Sequence, residues 1–362
     1  MTKLVQKRIL LSPLNWGLGH ASRLIPIIKH LEAQGHICII GAESSSAELL
    51  KKAFPHLIHE YFPGFNVRFS SGHTQWFKIL LQIPKFLYWK RKENHTTQKL
   101  IQKHQIDLII SDNRYGVNSK LVPSILITHQ TSPYLGRLFS FLRPLVTKTI
   151  RKWIRSFDQC WIPDIQEVLS VSGSLSESIP LPNHTHHIGL LSRLNASSMD
   201  TISDAEAPVV DILAILSGPE PHRSQLEKII IDRFKNDTFK VMLLQGQPEL
   251  NAKSKEIGNV TLLPHCTDSY LYQLMTKSAL IICRSGYSTI MDLFAVNRKA
   301  ILIPTPGQYE QEYLADHLSR NFEFATIPQH ELATKSMQIQ DVSCGKKFAN
   351  ASDFFLQLPP LP

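Results

Sequence analysis

Two glycine-rich turns hold the residues of this sequence that could do chemistry. The first is Asn15–His20 (NWGLGH), in which Gly17 and Gly19 come shortly before His20. Glycines let the backbone turn sharply at the carboxyl end of a strand, where parallel α/β sheets bind ligands. A histidine there suits general-base chemistry, because imidazole titrates near neutral pH. We therefore predict that this turn lines one wall of a cleft; the alternative is a tight turn with an incidental histidine.

The second turn is Cys283–Asp292 (CRSGYSTIMD), which joins an apolar run to a helical pattern. A helix N-terminus binds phosphate through its backbone N–H groups, and an arginine can add a charge-assisted contact. The predicted phosphate ligands are Arg284, Ser285, Gly286 and Ser288. Asp292 follows one turn into an otherwise apolar stretch, where a carboxylate would bind a ribose diol. The alternative is a solvated aspartate beside a capped helix.

Further polar residues follow two other predicted strands. The segment Pro304–Tyr313 (PTPGQYEQEY) places Glu310 and Gln311 at the start of a predicted helix. Amides and carboxylates at a cleft edge suit a polyhydroxylated ligand, although the polar first turn of any helix looks similar. His129, after the predicted strand Ser124–Thr128, is a candidate for the opposite side of the cleft; ordinary loop polarity explains it equally well.

Short apolar runs alternate with helical patterns along the chain, and this alternation predicts an α/β fold. In the first half the predicted strands are Arg8–Leu14, His36–Gly41, Asp107–Ser111, Ser124–Thr128 and Phe157–Pro163, and the first predicted helix is Ala21–Gln34. In the second half they are Asp211–Leu216, Lys240–Leu244, Val260–Leu263, Leu280–Cys283 and Ala300–Ile303. Apolar runs separated by helices are typical of parallel, doubly wound sheets.

The length of 362 residues fits two domains. We predict an N-terminal Rossmann-like domain over residues 1–194, a polar linker over 195–208, a C-terminal Rossmann-like domain over 209–345 and a tail over 346–362. The two doubly wound domains would face each other across a cleft. The two glycine-rich turns would then form its walls.

Residues 283–318 resemble the donor-binding signature of the MurG-type N-acetylglucosaminyltransferases, a family that also includes the plant monogalactosyldiacylglycerol synthases. The N-terminal GLGH turn resembles the glycine-rich loop of the same family, which ends in histidine. The resemblance implies a GT-B fold with an acceptor-binding first domain and a UDP-sugar donor held by the second. It also implies inversion at the anomeric carbon, no obligatory metal and no cofactor other than the UDP-sugar substrate.

The resemblance assigns candidate ligands on both sides of the cleft. Those for the nucleotide sugar are Gly218, Arg223, His265, Arg284, Ser285, Gly286, Ser288, Asp292, Glu310 and Gln311. Those on the acceptor side are Gly17, Gly19, His129 and the candidate base His20. Asp292 would bind the ribose, and His265 would lie beside the uracil. Gln311, with Glu310, would contact the sugar hydroxyls.

The sequence departs from the family pattern at three places. The carboxylate for the ribose is an aspartate, one methylene shorter than the usual glutamate, and the second of two tandem glutamines is Glu312. The turn that opens the second domain, Ser217–Arg223 (SGPEPHR), has two prolines where the family offers backbone N–H donors. Arg223 is the candidate to compensate. The donor could therefore differ from the family norm.

The net charge of +9 and the pI of about 9.2 indicate an anionic partner. Two segments, Trp76–Lys92 and Tyr134–Phe157, combine aromatic and basic residues without an acidic one. This combination is typical of helices that lie on a membrane surface; the alternative is a core-facing helix with a solvated basic face. The sequence has no RNA-binding signature or recognition-helix motif, so nucleic acid is not a predicted partner.

Five widely spaced cysteines without a CxxC pair argue against zinc and disulfide frameworks. The run Asn183–His187 is interpreted as a polar loop before a strand, and no metal site is predicted. No apolar run approaches the ~20 residues of a spanning helix, and the short N-terminal run is interpreted as a first strand and not a signal peptide. We expect a cytoplasmic protein that contacts the inner membrane face peripherally.

The predicted function is transfer of a hexose or N-acetylhexosamine from a UDP-sugar to an acceptor hydroxyl on a lipid or glycan. The same two-domain cleft would serve a UDP-sugar hydrolase or a non-hydrolysing epimerase, since a histidine after a glycine-rich turn can activate water as well. A protein that binds a sugar nucleotide or a membrane without catalysis is the third alternative.

Overall fold

The computed structural model describes residues 5–65, 82–136, 139–165, 170–177, 181–194, 206–218, 220–248, 250, 253–334 and 356–362. Two seven-stranded sheets flanked by helices follow one another along the chain. The predicted α/β class with two Rossmann-like, doubly wound halves is confirmed. The strands of the first sheet lie within residues 8–187 and those of the second within 212–326.

The first sheet is parallel in all its strand pairs. Its strands are β1 (Arg8–Pro13), β2 (Ile37–Ala42), β3 (Ile58–Tyr61), β4 (Leu108–Asp112), β5 (Ser124–Ile127), β6 (Gln159–Ile162) and β7 (Thr185–His187). They lie in the order β3-β2-β1-β4-β5-β6-β7. The helices of this half are α1 (Leu18–Ala33), α2 (Ser44–Ala53), α3 (Ile83–His104), α4 (Arg143–Ile154) and α5 (Ser174–Glu177), with a short 3-10 helix at Ser140–Leu142.

The second sheet has one antiparallel edge pair and is otherwise parallel. Its strands are β8 (Ile212–Ile215), β9 (Val241–Leu244), β10 (Lys255–Ile257), β11 (Val260–Leu263), β12 (Leu280–Cys283), β13 (Ile301–Leu302) and β14 (Ala325–Thr326). They lie in the order β10-β11-β9-β8-β12-β13-β14. The helices of this half are α6 (His222–Phe234), α7 (Asp268–Lys277), α8 (Tyr287–Ala295) and α9 (Tyr309–Phe322).

The order of strands reverses once in each sheet, and this places the functional loops. In the first sheet the reversal lies between β1 and β4, and in the second between β8 and β12. Ligands of open α/β sheets bind outside the carboxyl ends of the strands at such a reversal. The loops after β1 and β4 therefore meet at one crevice, and the loops after β8 and β12 meet at another.

The C-terminal residues 356–362 pack on the first half of the molecule. The backbone N–H of Gln357 donates to the carbonyl oxygen of Ile188 at 3.0 Å, and Gln159 Nε2 donates to the carbonyl oxygen of Pro360 at 3.1 Å. Leu356 and Leu358 pack against the main hydrophobic core. The end of the predicted tail thus returns from the second half to the first.

Candidate active site

A cleft of about 460 Å³ lies between the two halves, and loops at the carboxyl edges of both sheets line it. From the first half come the turn around His20 and the segment after β5 around His129. From the second half come the loop after β8, the loop before α7, the start of α8 and the start of α9. The turns at residues 15–20 and 283–292 therefore reach the same cavity.

The glycine-rich turn after β1 needs both of its glycines. Gly17 is the N-cap of α1 and has φ of 106°, a conformation that side chains other than glycine's rarely adopt. A Cβ atom on Gly19 would lie 2.8 Å from Ser288 Oγ, too close for an ordinary contact. Ser288 Oγ donates to the carbonyl oxygen of Gly19 at 2.9 Å. The two glycine-rich turns therefore touch each other directly.

His20 sits at the start of α1 with its Nδ1 atom in a buried polar network. Nδ1 lies 3.2 Å from Asp112 Oδ2 and 2.9 Å from Arg23 Nη2. Asp112 is fully buried, and Arg23 forms a bidentate ion pair with it. Burial lowers the pKa of His20; Asp112 opposes this effect and Arg23 adds to it. At neutral pH the imidazole is therefore uncharged.

Asp112 is charged in this network despite its burial. Burial alone would raise its pKa, but Arg23 and His20 outweigh that effect and hold the pKa below the ordinary value. Asp112 and Arg23 were not among the predicted site residues. Asp112 is the last residue of β4, which pairs with β1 beside the His20 turn. A carboxylate that ends a buried strand is the signal that could have identified it.

The network crosses the cleft through His129. Arg23 Nη1 lies 3.2 Å from His129 Nδ1, and His129 Nε2 lies 2.8 Å from Glu310 Oε1. Gln130 Nε2 donates to the other oxygen of Glu310. The His129 ring stacks on Tyr287, with centroids 4.1 Å apart. Glu310, predicted to contact sugar hydroxyls, thus lines the cleft but bonds to the first half of the molecule.

The N-terminus of α8 opens into the cleft on the side of the second half. Gly286 is its N-cap, no side chain caps it, and its first turn has no acidic residue. The first N–H groups of a helix have no partner within the helix, and they carry the positive end of its dipole. Gly286 and Ser288 line the cleft, as do Tyr287 and Thr289. The predicted placement of Gly286 and Ser288 at the cleft agrees with the structure.

Arg284 and Ser285 do not reach the cleft with their side chains, which corrects the prediction that the Arg284 guanidinium and the Ser285 hydroxyl contact phosphate there. Both are fully buried. Arg284 donates to the carbonyl oxygens of Ile303, Pro304 and His222 and to Gln329 Oε1. Ser285 Oγ donates to the carbonyl oxygen of Gln311 at 2.8 Å. Their side chains instead tie the loop after β12 to neighbouring loops, because those loops leave carbonyl groups that need donors.

Asp292 lies on the cleft wall beside two residues from the end of the first half. Ser192 Oγ donates to Asp292 Oδ1 at 2.5 Å. Burial raises the pKa of Asp292 to about 6, and the charge of Arg193 opposes the rise. Arg193 lines the cleft and pairs with Asp268 at 2.9 Å, and its Nε atom has no partner among the described residues. Arg193 was not predicted, because no sequence pattern links residue 193 to residue 292.

The loop after β8 departs from the prediction at Arg223. Its guanidinium pairs with Glu220 and Glu227 and does not line the cleft. Glu220 also accepts from the backbone N–H of Ser224 at 3.2 Å, so a carboxylate of the chain itself caps the start of α6. Arg223 therefore does not replace the N–H donors that the prolines remove. Gly218, with φ of 96°, does line the cleft.

Two further residues that were predicted to bind the donor line the cleft. His265 lines it, and burial, with the charge of Arg193 second, lowers its pKa to about 4. Gln311 lines it as well, although its amide is already bonded: Oε1 accepts from the backbone N–H of Thr305 at 2.9 Å, and Nε2 donates to Gln308 Oε1 at 2.7 Å. His265 is thus uncharged at neutral pH, and Gln311 must exchange a bond to contact a ligand.

The described part of the chain offers neither a metal site nor a membrane-spanning helix. No group of three or more His, Cys, Asp or Glu side chains there could hold a metal ion. No helix there is both long and apolar enough to cross a membrane. Residues 185–187 of the histidine-rich run form the edge strand β7, not the predicted loop.

Comparison with known proteins gives a consistent picture. The profile of the glycosyltransferase family 28 C-terminal domain matches residues 223–347. The chain is 27% identical to an uncharacterized glycosyltransferase of Methanosarcina mazei, over 82% of this chain and 79% of that one. It is 23% identical to the UDP-N-acetylglucosamine–N-acetylmuramyl-(pentapeptide) pyrophosphoryl-undecaprenol N-acetylglucosamine transferase of Histophilus somni, over 87% and 83%. The crystal structure of Acinetobacter baumannii MurG has the same fold, with a TM-score of 0.50 at 13% identity over 93% and 88% of the chains.

Proposed function

The chain is a GT-B glycosyltransferase of the MurG family, and we propose that it transfers a hexose or N-acetylhexosamine from a UDP-sugar to the hydroxyl of a lipid-linked acceptor. The donor would bind the second half and the acceptor the first. His20 would take the proton of the acceptor hydroxyl. The reaction would invert the anomeric carbon, and the enzyme would work at the cytoplasmic face of a membrane.

The observation that carries this proposal is the contact between the two glycine-rich turns. The open N-terminus of α8 lies beside the turn that holds His20, because Ser288 bonds to Gly19. A UDP-sugar whose diphosphate bound at that helix end would have the anomeric carbon of its sugar near the imidazole. The leaving diphosphate gains negative charge as the glycosidic bond breaks, and the helix N–H groups would stabilise it. In other transferases a bound metal ion stabilises this negative charge, so we propose a metal-independent reaction.

UDP is expected to raise the melting temperature of the protein, and EDTA is expected to leave the rise unchanged. A ligand that binds only the folded state adds about 2.7 kcal/mol when present at a hundredfold excess over its Kd. Uridine, which lacks the diphosphate, should stabilise much less, because the helix N-terminus would then stay empty. Thermal unfolding with UDP, uridine and EDTA measures this. A rise with UDP that disappears in EDTA would show that a divalent ion takes part in binding.

Hydrolysis of the UDP-sugar and its epimerisation use the same cleft, and product analysis separates them from transfer. With UDP-sugar alone, steady release of UDP and free sugar indicates a hydrolase, and an isomeric UDP-sugar indicates an epimerase. A transferase releases UDP at a substantial rate only when acceptor is added. A protein that binds UDP but releases none with any acceptor lipid would be a binding protein.

The lipid-linked acceptor is supported by the surface formed by α3 and α4. Phe86 on α3 packs on Trp153 on α4, with ring centroids 5.4 Å apart, so the two helices lie together. Four apolar residues on these helices or just before α4 are 45% to 72% exposed: Leu87, Tyr88, Phe141 and Leu145. Exposed basic residues on or beside the helices are Lys85, Arg91, Lys92, Lys148, Lys152 and Arg155. Apolar and basic residues together suit an anionic membrane surface.

The structure changes which residues of the predicted membrane segments would contact lipid. Trp76 and Phe77 lie outside the described residues. Phe86 is occupied by its contact with Trp153, and Lys90 lies over the same ring at 4.7 Å. The exposed residues Leu87 and Tyr88 are therefore better candidates for insertion.

The protein is expected to sediment with anionic liposomes at low salt and to be released in part at high salt. Each basic residue near an anionic leaflet contributes about 1 kcal/mol, and salt screens that attraction. The variant Lys85→Glu, Arg91→Glu, Lys92→Glu should stay in the supernatant. The matched control Lys228→Glu, Lys253→Glu, Lys255→Glu makes the same charge change on exposed residues of the second half and should still bind. Wild-type protein that remains in the supernatant at low salt would remove the support for a lipid acceptor.

A further inference from the structure

Arg23 lies at the centre of the buried network and contacts three other side chains. Its side chain is 1% exposed. Its Nε atom donates to Asp112 Oδ2 at 2.7 Å and its Nη2 atom to Asp112 Oδ1. Nη2 also lies 2.9 Å from His20 Nδ1, and Nη1 lies 3.2 Å from His129 Nδ1. One guanidinium thus touches the two cleft histidines of the first half and the carboxylate of Asp112.

The chemistry of the guanidinium group fixes the proton on each ring. Arginine has only N–H donors and stays charged in proteins, so any ring nitrogen bonded to it must offer a lone pair. At His129 the contacts of the two ring nitrogens agree with each other. Its Nδ1 accepts from Arg23, and its Nε2 therefore carries the proton that it donates to Glu310 Oε1 at 2.8 Å.

His20 is a harder case, because its Nδ1 atom has two neighbours that require opposite states. A bond to Asp112 Oδ2 at 3.2 Å needs a proton on Nδ1, and a bond from Arg23 Nη2 at 2.9 Å needs a lone pair there. The contact with Arg23 is the shorter. Asp112 Oδ2 also already accepts from Arg23 Nε. The Nδ1 lone pair therefore takes the bond from Arg23, and the ring proton resides on Nε2.

A proton on Nε2 prevents His20 from acting as a base at the cleft. Its Nε2 atom has no hydrogen-bond partner among the described residues, and the ring lines the cavity. In this tautomer it can donate to an acceptor hydroxyl or to water but cannot take a proton from either. General-base chemistry needs the other tautomer, in which Nδ1–H donates to the carboxylate and Nε2 is unprotonated.

We propose that Arg23 is a positioning residue that keeps His20 in the inactive Nε2–H tautomer while the cleft is empty. The inference rests on the proposed role of His20 as the base. When Nη2 withdraws, Nδ1 takes up a proton from water and Nε2 releases one to water, so the ring gains no net proton. Asp112 then accepts from Nδ1–H. His20 therefore takes no proton from water while the cleft is empty.

The connection to the second half would allow donor binding to displace Arg23. His129 links it to Glu310, which the sequence analysis predicts to contact the sugar hydroxyls. A sugar hydroxyl that bonds to Glu310 competes with His129 Nε2–H for the same oxygen. His129 can then shift, and Arg23 Nη1 loses its fixed partner. Donor binding on one side of the cleft would thus release the base on the other.

The test is nitrogen NMR of the imidazole rings in the ligand-free protein at pH 8. With histidine labelled by nitrogen-15, the His20 and His129 signals are assigned by their loss in His20→Gln and His129→Gln. Wild-type protein should show unprotonated Nδ1 and protonated Nε2 at both rings. In Arg23→Met, His20 should change to the Nδ1–H tautomer, because Asp112 becomes its only partner. Glu310→Gln is the control and should leave both rings unchanged, since the glutamine carbonyl still accepts from His129.

Either wild-type result is decisive even if Arg23→Met does not fold. A protonated Nδ1 at His20 in ligand-free wild-type protein would overturn the inference. It would leave the base role of His20 intact, because that tautomer is the active one. The measurement uses no substrate, so failure of the proposed transferase reaction does not change its outcome.

Discussion

Replacement of His20 by alanine is expected to lower kcat by about 10²–10⁴-fold, the range that loss of a general base usually gives. The His20 imidazole is uncharged at neutral pH and lies beside a charged carboxylate, Asp112. Affinity for UDP should change little, because the open helix end and Asp292 belong to the second half. Steady-state kinetics with the donor varied, together with UDP thermal shifts, measure both quantities.

The pH profile gives the same prediction a second readout. Protonated His20 cannot accept a proton, so kcat/KM should fall as the pH drops through the pKa of His20. Burial lowers that pKa, so the acid limb should lie below pH 6.5, the ordinary value. Asp112→Asn keeps the shape of the carboxylate but removes its charge, and should also lower kcat strongly. Near-normal turnover in His20→Ala would remove His20 from the mechanism.

The sequence predicted the internal strands of both sheets but none of the edge strands. The structure adds β3, β7, β10 and β14, and each of these lies at the edge of its sheet. Internal strands such as β4 and β5 are buried along their whole length, so they show as continuous apolar runs. The edge strands are exposed or half-buried, with sequences such as THH and KEI. Nothing in such a sequence distinguishes a short edge strand from a loop.

The sequence located site residues well where the backbone conformation determines their position, and poorly where side-chain pairing determines it. Gly17, Gly286 and Gly218 were located because glycines in strand-to-helix turns mark a bend of the backbone toward the cleft. Arg284 was assigned to the same surface from its position alone, yet its guanidinium bonds to carbonyl groups behind the loop. The direction of a long side chain depends on which distant carbonyls lack donors, and a local sequence does not record that.

Asp292 carries the second large effect. Asp292→Ala is expected to weaken UDP binding by roughly 1.5–3 kcal/mol, the contribution of hydrogen bonds to a charged group. That range corresponds to a loss of about 10- to 150-fold in affinity. The carboxylate lies on the cleft wall near Arg193, in the position proposed for the ribose diol. Calorimetric titration with UDP at pH 8 measures the loss.

The raised pKa of Asp292 separates a ligand contact from a purely structural role. With a pKa of about 6, the carboxylate is ionised at pH 8 and mostly protonated at pH 5. UDP affinity of the wild type should therefore fall between pH 8 and pH 5 by more than that of Asp292→Asn, which has no charge to lose there. The stability of the ligand-free protein should change in the opposite sense. A carboxyl whose pKa is higher in the folded state than in the unfolded state stabilises the protein at low pH and loses that contribution as the pH rises through about 6.

Asp292→Asn should accordingly raise the melting temperature of the empty protein at pH 8 and have a smaller effect at pH 5. The asparagine side chain can still accept from Ser192, so the local hydrogen bond is kept and only the charge is removed. A variant that gains stability and loses UDP affinity shows that the buried charge is retained for the ligand. If Asp292→Asn unfolds more easily at pH 8 and its folded fraction binds UDP as wild type does, the carboxylate serves the fold and another group must bind the ribose.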